Sequence, residues 1–388
     1  MRNGYVKLGD YIRQVDNRNK SLITSNLLGI NIDKQFMPSV ANIIGTDLSC
    51  YKLLSQNDFA FNPMHVGRDE RIPIALYLSQ EAAIVSPAYI TFKIDSDKLL
   101  SKYLMLWFRR SEFDRECWFY TDASVRGGIT WEDFCDLLIP LPSIEEQKRL
   151  VNTYEAIEDR IALKRKINDN LEAIAQAFFQ EKFASYYSTN ELPDGYSFVR
   201  LDNLCTVKGG KRLPVDCELL DYPTEHPYIR VRDIGNSRYV CLTSQFQYID
   251  EATYSAISRY IVNTGDIVIS IVGAIGLLGK IHSSLDKANL TENCVKLANI
   301  HTVTPDYLYY SLCYKKQIKE IELLTVGAVQ AKLPMYNIQS MNILVPPVEV
   351  MKKFQHELDV FNNQIEANTI EIQELHELLG VVLAKMSD

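Results

Sequence analysis

Basic and amide side chains lie in several loops of this sequence that glycine or proline interrupts. Arg and Lys can bind phosphate oxygens or guanine edges, and Asn and Gln can pair with adenine, so such loops are typical of DNA contacts. The candidate DNA-contacting residues are Asn62, His65, Arg68, Arg71, Arg126, Lys208, Lys211, Arg212, Arg230, Arg232, Lys280, Gln330 and Lys332. For any single one of them, a solvated surface position without a ligand is the open alternative.

The stretch 267–280, IVISIVGAIGLLGK, resembles a phosphate-binding loop but lacks its spacing. A P-loop needs four residues between its first glycine and a Gly-Lys pair, followed by Ser or Thr. Ala274 and Ile281 occupy the places where those residues are needed. We therefore expect a buried strand that turns tightly at its glycines, which let another chain approach closely.

Nothing else in the sequence predicts catalysis. The tetrapeptide 61–64, FNPM, is similar to the box by which amino-methyltransferases hold a target base, but Met64 stands where a proline belongs. No glycine-rich cofactor loop follows an opening strand, so a turn is the simpler interpretation. The six His are dispersed, and no Ser/His/Asp, paired-carboxylate or HExxH arrangement is present. We predict no catalytic residue and no metal site.

Composition favours a reduced, cytoplasmic protein. The eight cysteines are scattered without CxxC spacing, which predicts free and mostly buried thiols. No apolar run reaches transmembrane length and the N-terminal residues do not form a signal region, so we expect no membrane association. The net charge of −8 argues mildly against DNA. Much of the acidity lies in residues 349–388, and a local basic surface remains compatible with the rest of the chain.

Two long helices are the elements that must position these loops. Residues 144–182 follow Pro140 and Pro142, contain no Gly or Pro, and repeat apolar residues every three or four positions. A helix of roughly 38 residues would be about 57 Å long, which is typical of a spacer. Residues 347–388 have the same character after a second pair of prolines.

The apolar seams of the two helices correspond at an offset of 204 residues, and each contains a polar interruption near Lys164 and Asn368. We predict that the helices pair with each other as an antiparallel coiled coil and that the polar positions fix their register. The alternative is that each is an ordinary amphipathic helix packed on its own domain. The predicted seam residues are Leu150, Tyr154, Ile157, Ile161, Leu171, Phe178, Met351, Phe354, Leu358, Phe361, Ile365, Ile372, Leu375, Leu379 and Val382.

The repeat extends beyond the helices. YVKLGDY at 5–11 parallels FVRLDNL at 198–204, and LLSKYLMLWF at 99–108, within a helical segment predicted over 98–118, parallels TPDYLYYSL at 304–312. This predicts an α+β protein made by internal duplication, with pseudo-two-fold symmetry. The predicted order is a mixed α/β globular domain (1–142), a long helix (143–186), a second globular domain (187–346) and a second long helix (347–388).

The segment LPSIEEQKRLV at 141–151 and its repeat VPPVEVMKKF at 345–354 resemble the specificity subunit of Type I restriction–modification systems. The stretches 208–214, 228–234, 265–276 and 326–347 are also similar, so the resemblance covers essentially the whole chain. Two features depart from it. Val350–Met351 replaces the Glu146–Gln147 of the first copy, and the first domain lacks the glycine-rich opening loop of the second.

The resemblance implies two target-recognition domains, each reading one half of a split double-stranded DNA sequence, separated by the paired helices. It implies a subunit without catalytic activity and without cofactors of its own. The implied partners are two adenine-N6 methyltransferase subunits and restriction–translocase subunits, which use S-adenosylmethionine, ATP and Mg²⁺. Because a target adenine must leave the helix to be methylated, we expect the domains to bend or open the duplex.

Two other functions stay open from the residues alone. A protein–protein scaffold built on the coiled coil, with domains that bind peptides, would also explain the long helices and the acidity. A stand-alone methyltransferase is the third hypothesis, and the missing cofactor loop disfavours it. Salt-dependent binding to duplex DNA would distinguish the DNA specificity subunit from the protein–protein scaffold, because phosphate contacts release counterions.

Overall fold

We describe the protein from a computed structural model. It covers residues 4–39, 45–121, 128–189, 191–235, 237–243, 245–327 and 331–387, without the side chains at 65, 68 and 69. The chain forms two compact units, Met1–Ile161 with Glu374–Asp388, and Ala162–Gln373. The predicted domain borders at 142, 186 and 346 stay predictions. Within the described ranges, no helix combines the length and apolar character needed to cross a membrane.

Short antiparallel strands form the sheets of the first unit. They are β1 (Tyr5–Lys7), β2 (Ile12–Val15), β3 (Leu28–Ile30), β4 (Phe36–Pro38), β5 (Lys52–Leu54), β6 (Phe59–Phe61), β7 (Ile74–Leu76), β8 (Ala83–Val85), β9 (Ile90–Ile94) and β10 (Leu138–Pro140). The main sheet has the strand order β2-β9-β6-β7. Separate two-stranded ribbons join β1 to β10, β3 to β4 and β5 to β8.

Helices cover this sheet and connect it to the first long helix. They are α1 (Val66–Asp69), α2 (Ser101–Phe108), α3 (Ser111–Phe119), α4 (Trp131–Asp136) and α5 (Ile144–Phe183). The helical segment predicted over 98–118 is divided into two helices, α2 and α3. The reason is that Arg110 has an extended backbone (ψ 140°), and the buried Lys34 ammonium donates to the carbonyl of Phe108 at the end of α2.

Aromatic rings fill the core of the first unit. Phe59 and Phe92 stack across neighbouring strands with ring centroids 4.9 Å apart, and Phe61 stacks on Phe134 of α4 at 4.6 Å. Phe108 of α2 closes the cluster with an edge-on contact to Phe59 at 5.8 Å. All five side chains are fully buried, so this cluster fixes α2 and α4 against the sheet.

The second unit contains a five-stranded sheet and a three-stranded sheet. Its strands are β11 (Ser197–Arg200), β12 (Thr206–Gly209), β13 (Pro227–Ile229), β14 (Tyr239–Val240), β15 (Gln247–Tyr248), β16 (Ile267–Ser270), β17 (Leu278–Ile281), β18 (Asn289–Leu290), β19 (Cys294–Ala298) and β20 (Asn342–Val345). The larger sheet has the order β12-β19-β16-β17-β14 and the smaller one β15-β13-β18. A separate ribbon joins β11 to β20.

The helices of the second unit are α6 (Glu251–Ile257), α7 (Pro305–Leu312), α8 (Lys315–Leu324), α9 (Met335–Ser340) and α10 (Val348–Ala384). The stretch 267–280 forms β16, a turn, and most of β17, which confirms the predicted strand and glycine turn. Gly273 and Gly276 have φ of +80° and +83° in that turn, a backbone region that favours glycine.

The two long helices pair antiparallel in the second unit, as predicted. Phe178 of α5 stacks on Phe354 of α10 with centroids 5.2 Å apart, whereas Lys164 contacts the later residue Glu371 at 2.8 Å. The polar interruptions meet each other. The fully buried Asn368 amide accepts from Lys164 at 2.9 Å and donates to Asn168 at 2.8 Å. Every polar atom of Asn368 that lies in the seam therefore has a partner, which favours one register.

All fifteen predicted seam residues are buried or half-buried. Met351, Phe354 and Leu358 also belong to the core of the second unit, so this part of α10 both pairs with α5 and packs on the globular fold. The alternative of simple packing on a domain therefore applies to part of the helix. Sequence reasoning missed Phe179 and Phe183, which are fully buried against the same core.

The internal duplication is visible as repeated contacts within each unit. The Tyr103 hydroxyl donates to the carbonyl of Pro140 at 3.2 Å, and Tyr307 donates to that of Leu344 at 2.7 Å. Both pairs lie 204 positions apart in the chain, the same offset as Lys164 and Asn368. The antiparallel ribbons β1–β10 and β11–β20 repeat in the same way. The fold is therefore a duplicated α+β module with two long paired helices.

Candidate nucleic-acid interface

One edge of the second-unit sheets collects several loops. Gly209 pairs with Val295 and Ser270 pairs with Cys294, so the end of β12, the start of β19 and the end of β16 are neighbours. The end of β13 lies close by, because the amide of Thr291 donates to Ile229 at 3.0 Å. The loops that leave the sheets here, named the second-unit loop edge, are 210–216, 230–233, 271–277 and 291–293.

Lys211 and Arg212 are presented on this edge by a tightly held backbone. The amide of Lys211 donates to Leu290 at 2.8 Å, and its carbonyl accepts from the Tyr228 hydroxyl at 2.6 Å. Gly210 is needed before them, because a Cβ there would overlap the carbonyl oxygens of 290 and 291. Both basic side chains are exposed, as is Lys208 on β12. The predicted residues of this loop therefore have fixed backbone anchor points and exposed side chains.

Arg212 forms an ion pair with Glu292 at 2.8 Å. Burial opposes ionisation of Glu292, but hydrogen bonds from Arg212, its backbone and Thr291 outweigh burial and lower the pKa of this carboxyl. Glu292 is therefore ionised at neutral pH and would compete with a phosphate for the guanidinium.

The two predicted arginines after β13 differ in accessibility. Arg230 pairs with Asp233 at 3.0 Å and donates to Gln247, and its side chain is largely buried. Arg232 is exposed and lies 3.8 Å from Asp233. The structure thus presents Arg232 on the loop edge and gives Arg230 a supporting position beneath it.

Lys280 lies away from the other predicted residues of the second unit. Its ammonium forms a 2.7 Å ion pair with Asp306 of α7, and only a small part of the side chain is exposed. Lys332 is exposed. Its backbone forms an isolated antiparallel β-bridge with Val272, which places Lys332 beside the glycine turn of the loop edge. Gln330 lies outside the described residues. The loop edge therefore gathers Lys211, Arg212, Arg232 and Lys332, and omits Lys280.

In the first unit, two of the predicted residues, Asn62 and Arg71, lie in the loop after β6. The Asn62 side chain caps the following turn by accepting from the amide of Met64 at 3.1 Å, and Arg71 is exposed at the other end of the loop. Gly128 packs on Pro63, so the segment around 128 meets this loop. Arg126 and the side chains of His65 and Arg68 lie outside the described residues. Asn62 has a structural function here, which agrees with the expected turn.

The first unit has a loop edge of the same topology, and part of it was missed from the sequence. Val15 pairs with Thr91 and Phe61 with Ile90, so the end of β2, the start of β9 and the end of β6 are neighbours. Strand β2 corresponds to β12. The loop that follows β2 therefore corresponds to the loop that contains Lys211 and Arg212. The loops of this first-unit loop edge are 16–27, 62–73 and 86–89. Extending the similarity between 5–11 and 198–204 further along the chain could have identified loop 16–27. This loop lacks the paired glycines that mark the corresponding loop of the second unit.

A buried ionic network on the inner side of the second unit was also missed. The Arg238 guanidinium is fully buried, pairs with Asp306 of α7 and donates to Tyr310 at 3.0 Å. It also donates to Asn362 of α10 and lies 3.8 Å from Glu172 of α5. One arginine therefore connects the globular fold to both long helices.

The two carboxylates of this network have opposite pKa shifts. For Asp306, burial opposes ionisation, but Arg238 and Lys280 together outweigh it and lower the pKa. For Glu172, burial dominates the attraction of the more distant Arg238 and raises the pKa. The charge balance of the network rests mainly on Arg238, Lys280 and Asp306.

No group of three or more His, Cys, Asp and Glu side chains within the described ranges could hold a metal ion. The cysteines in these ranges are free thiols.

Residues 51–173 and 193–377 match a family model that is described as Type I restriction modification DNA specificity domain.

Curated relatives agree with the family match. The chain is 23% identical over 310 residues to the Type I restriction enzyme MjaIX specificity subunit of Methanocaldococcus jannaschii, covering 76% of this chain and 69% of the relative. It is 19% identical over 461 aligned residues to the Type I restriction enzyme HindI specificity subunit of Haemophilus influenzae, covering 98% and 97%.

Among solved structures, the Type I restriction–modification S subunit from M. genitalium aligns with a TM-score of 0.48 at 14% identity, covering 100% of this chain and 97% of that one. A chain from work on complex assembly and conformational transition of the type I R-M system aligns with a TM-score of 0.45 at 19% identity, covering 98% and 96%.

Proposed function

The chain belongs to the Type I restriction modification DNA specificity domain family, and from this premise we propose that it reads a bipartite DNA target, one half-site per target-recognition domain. The observation that carries the proposal is the loop edge present in both units. The same three strand ends meet in each unit, while the loops attached to them differ in sequence. Two copies of one scaffold with different loops would read two different half-sites.

The second-unit loop edge has the chemistry for such a role. Lys211, Arg212, Arg232 and Lys332 can bind phosphates or guanine edges from one surface. Hydrogen bonds of the Lys211 backbone with Tyr228 and Leu290 hold Lys211 and the adjacent Arg212 in place before binding, which lowers the entropy cost of recognition. The paired helices would then set the unread gap between the half-sites, as dimer geometry does in symmetric DNA binders.

We propose further that the chain is non-catalytic and recruits two adenine-N6 methyltransferase subunits and restriction–translocase subunits. S-adenosylmethionine, ATP and Mg²⁺ would act only in those partners. The exposed acidic residues of α10 are the surface that we propose for a partner subunit. The protein would work in the cytoplasm, where the DNA and these partners are present.

The test is co-expression with the neighbouring methyltransferase subunit, followed by mapping of N6-methyladenine across the host DNA. We expect a single bipartite motif with a fixed gap. Replacing loop 210–216 with the corresponding loop of a relative should change one half of the motif and leave the other half intact. Methylation that is absent, or that does not depend on this chain, would favour the scaffold hypothesis instead.

Phosphate contacts are tested by salt dependence. In the co-purified complex, Lys211→Ala and Arg212→Ala should each lower the slope of log K against log salt by about 1. Arg200→Ala is the matched control, because Arg200 is also exposed and paired with a carboxylate, Asp202 at 2.6 Å. It precedes the start of β12, at the opposite edge of the sheet. An equal slope for all four proteins would contradict the placement of the interface.

A further inference from the structure

Two exposed aliphatic side chains form the tip of the opening loop in the first unit. Leu22 and Ile23 are 61% and 66% exposed, although the surrounding positions of the loop are polar. Leu22 closes a turn in which its amide donates to the carbonyl of Asn19 at 2.8 Å, and Ile23 follows that turn. Lys20 is at the corner of this turn and is exposed. An apolar tip therefore stands directly beside a cation on the first-unit loop edge.

This tip is held in one conformation. Asn19 is fully buried; its side chain accepts from the amide of Ile23 at 2.8 Å and donates to the carbonyl of Thr24 at 2.9 Å. Its own amide donates to Tyr51 at 3.0 Å. Leu22 has φ of +50°, a left-handed conformation that is unfavourable for leucine. The surrounding bonds maintain this strained conformation, so the exposed apolar surface is built into the loop and is not a frayed segment.

The corresponding loop of the second unit has a similar tip with a different sequence. Val215 is 89% exposed, three positions after Arg212. It occupies the corner of a turn in which the amide of Cys217 donates to Pro214 at 3.3 Å. The next residue, Asp216, has φ of +65°. Both opening loops thus combine a basic residue, a left-handed residue and an exposed aliphatic side chain.

Duplex DNA is the occupant that these observations favour. Each tip projects from the same loop edge as the basic residues proposed to bind DNA, so a ligand held by those cations would meet the tip. Phosphates would be bound by Lys20 in one unit and by Lys211 and Arg212 in the other. Aliphatic side chains have no partner on the phosphate backbone, but they do on base pairs: thymine methyl groups and the faces of base steps.

We propose that Leu22–Ile23 and Val215 contact base pairs of the two half-sites and contribute to the choice of sequence. This inference rests on the proposed function, and it assigns specificity-determining residues to each half. It places the sequence-reading contact of the first domain in loop 16–27, outside the positions predicted from sequence.

The test uses the complex co-purified with its methyltransferase subunit. The probes are a duplex that carries the motif mapped in wild-type cells and a scrambled duplex of the same length and composition. Leu22→Asn, Ile23→Thr and Val215→Thr keep side-chain size close to the original, and Asn tolerates the left-handed backbone at 22. We expect each variant to lose about tenfold in affinity for the motif duplex, with little change on the scrambled duplex. The salt slope should stay at the wild-type value, because no phosphate contact is removed.

Two controls accompany these variants. Leu78→Asn replaces an exposed leucine beyond the opposite end of the sheet, where β7 finishes, and should bind as the wild type does. Val215→Ile keeps an aliphatic side chain and should retain most of the affinity. Equal losses on both duplexes, a changed salt slope, or unchanged affinity in all three variants would overturn the inference. If the wild-type complex itself fails to prefer the motif duplex, the proposed function fails instead.

Discussion

Each of the two domains meets its long helix at a glutamine near the start of that helix, fully buried in the first unit and half-buried in the second, and the two positions are one helical turn apart. In the first unit, Gln147 of α5 accepts from the amide of Leu100 at 2.9 Å and donates to the carbonyls of Lys98 and Pro142. In the second unit the position 204 residues later is Met351, which is buried in the apolar core. The glutamine is instead Gln355, four residues further along α10.

The difference is explained by the N-terminus of the helix that each glutamine meets. Leu100 precedes α2 and offers no side-chain cap, so Gln147 satisfies its backbone. Thr304 holds the equivalent position before α7, and its hydroxyl accepts from the amide of Tyr307 at 3.1 Å. Thr304 also donates to Gln355 at 2.6 Å. A helix that caps itself allows an apolar residue at 351, and one that does not requires an amide at 147.

The second junction also contains a fully buried guanidinium, that of Arg238. Arg238, Asp306 and Lys280 form an ionic network under α7, whereas position 102, which corresponds to Asp306, is a lysine exposed at the surface. The first domain is therefore joined to its helix by a buried neutral amide and by partly exposed ion pairs, Lys102 with Glu155 at 2.6 Å and Arg109 with Glu158 at 2.9 Å, and the second by a buried ionic network. This comparison teaches that a duplicated fold can keep its contacts while exchanging the chemistry that forms them.

The largest effect should follow from Arg238→Met. Removing the guanidinium leaves Glu172, Asp306 and Asn362 with buried polar atoms that lose a partner, and breaking such a network costs about 3–5 kcal/mol. Hydrogen exchange measured by mass spectrometry should accelerate in the peptide 305–312 and not in 101–108. Arg238→Lys is the control and should lose less, because the charge remains. Unchanged exchange in 305–312 would show that the network does not join the second domain to its helices.

A smaller effect is expected at the first junction. Gln147→Met, which copies the second unit, should cost about 1–3 kcal/mol, because one buried amide and two carbonyls lose their partner. Leu100→Thr should then restore about 1 kcal/mol by capping α2 as Thr304 caps α7. Urea unfolding of the four proteins in this double-mutant cycle measures the coupling.

The reciprocal change, Met351→Gln, is the matched control. It should destabilise the second unit, because a buried amide is added where Thr304 already supplies the cap. Purely additive effects of Leu100→Thr and Gln147→Met would show that cap and glutamine are independent, and that the comparison of the two junctions is wrong.

The sequence predicts features that depend on local order along the chain. The period of the apolar residues and the absence of Gly and Pro predicted both long helices, and the polar interruption in each seam predicted that Lys164 and Asn368 help to fix the register of the pair. The substitution at Met351 was visible as a departure, but its reason lies at Thr304, many residues away. Loop 16–27 was missed because its place on the loop edge depends on the pairing of β2 with β9, which composition does not reveal.

The burial of charged residues also depends on contacts that the sequence does not reveal. Lys280 and Arg238 are basic residues near loops, and nothing in their neighbours along the chain distinguishes them from a DNA-contacting lysine. Burial against Asp306 decides their function, and that contact is made by α7, a distant element. Predicting which cation faces inward therefore requires the tertiary fold.

The smallest effect is the pH dependence that the two junctions should show. Asp306 has a lowered pKa in the folded protein, so the unfolded chain binds its proton more readily. Its stabilising contribution is present above the unfolded value of about 4 and is lost as the pH falls through the folded value. Glu172 has a raised pKa, so its protonation on acidification stabilises the fold. Gln147 does not titrate, so its contribution to the first junction should not change with pH in this range.

Glu172→Gln separates these two contributions. It should stabilise the second unit slightly above the raised pKa of Glu172, where burial disfavours the ionised wild-type carboxylate, and this gain should shrink as the pH falls through that pKa because the wild type then becomes protonated. Asp306→Asn should do the reverse, destabilising at pH 7 and converging with the wild type at low pH. Hydrogen exchange of 305–312 from about pH 8 down to about pH 2, corrected for intrinsic rates, covers the range in which both carboxyl groups titrate and measures both trends. If the peptide 101–108 follows the same pH profile, the pH dependence does not arise from the buried network of the second domain.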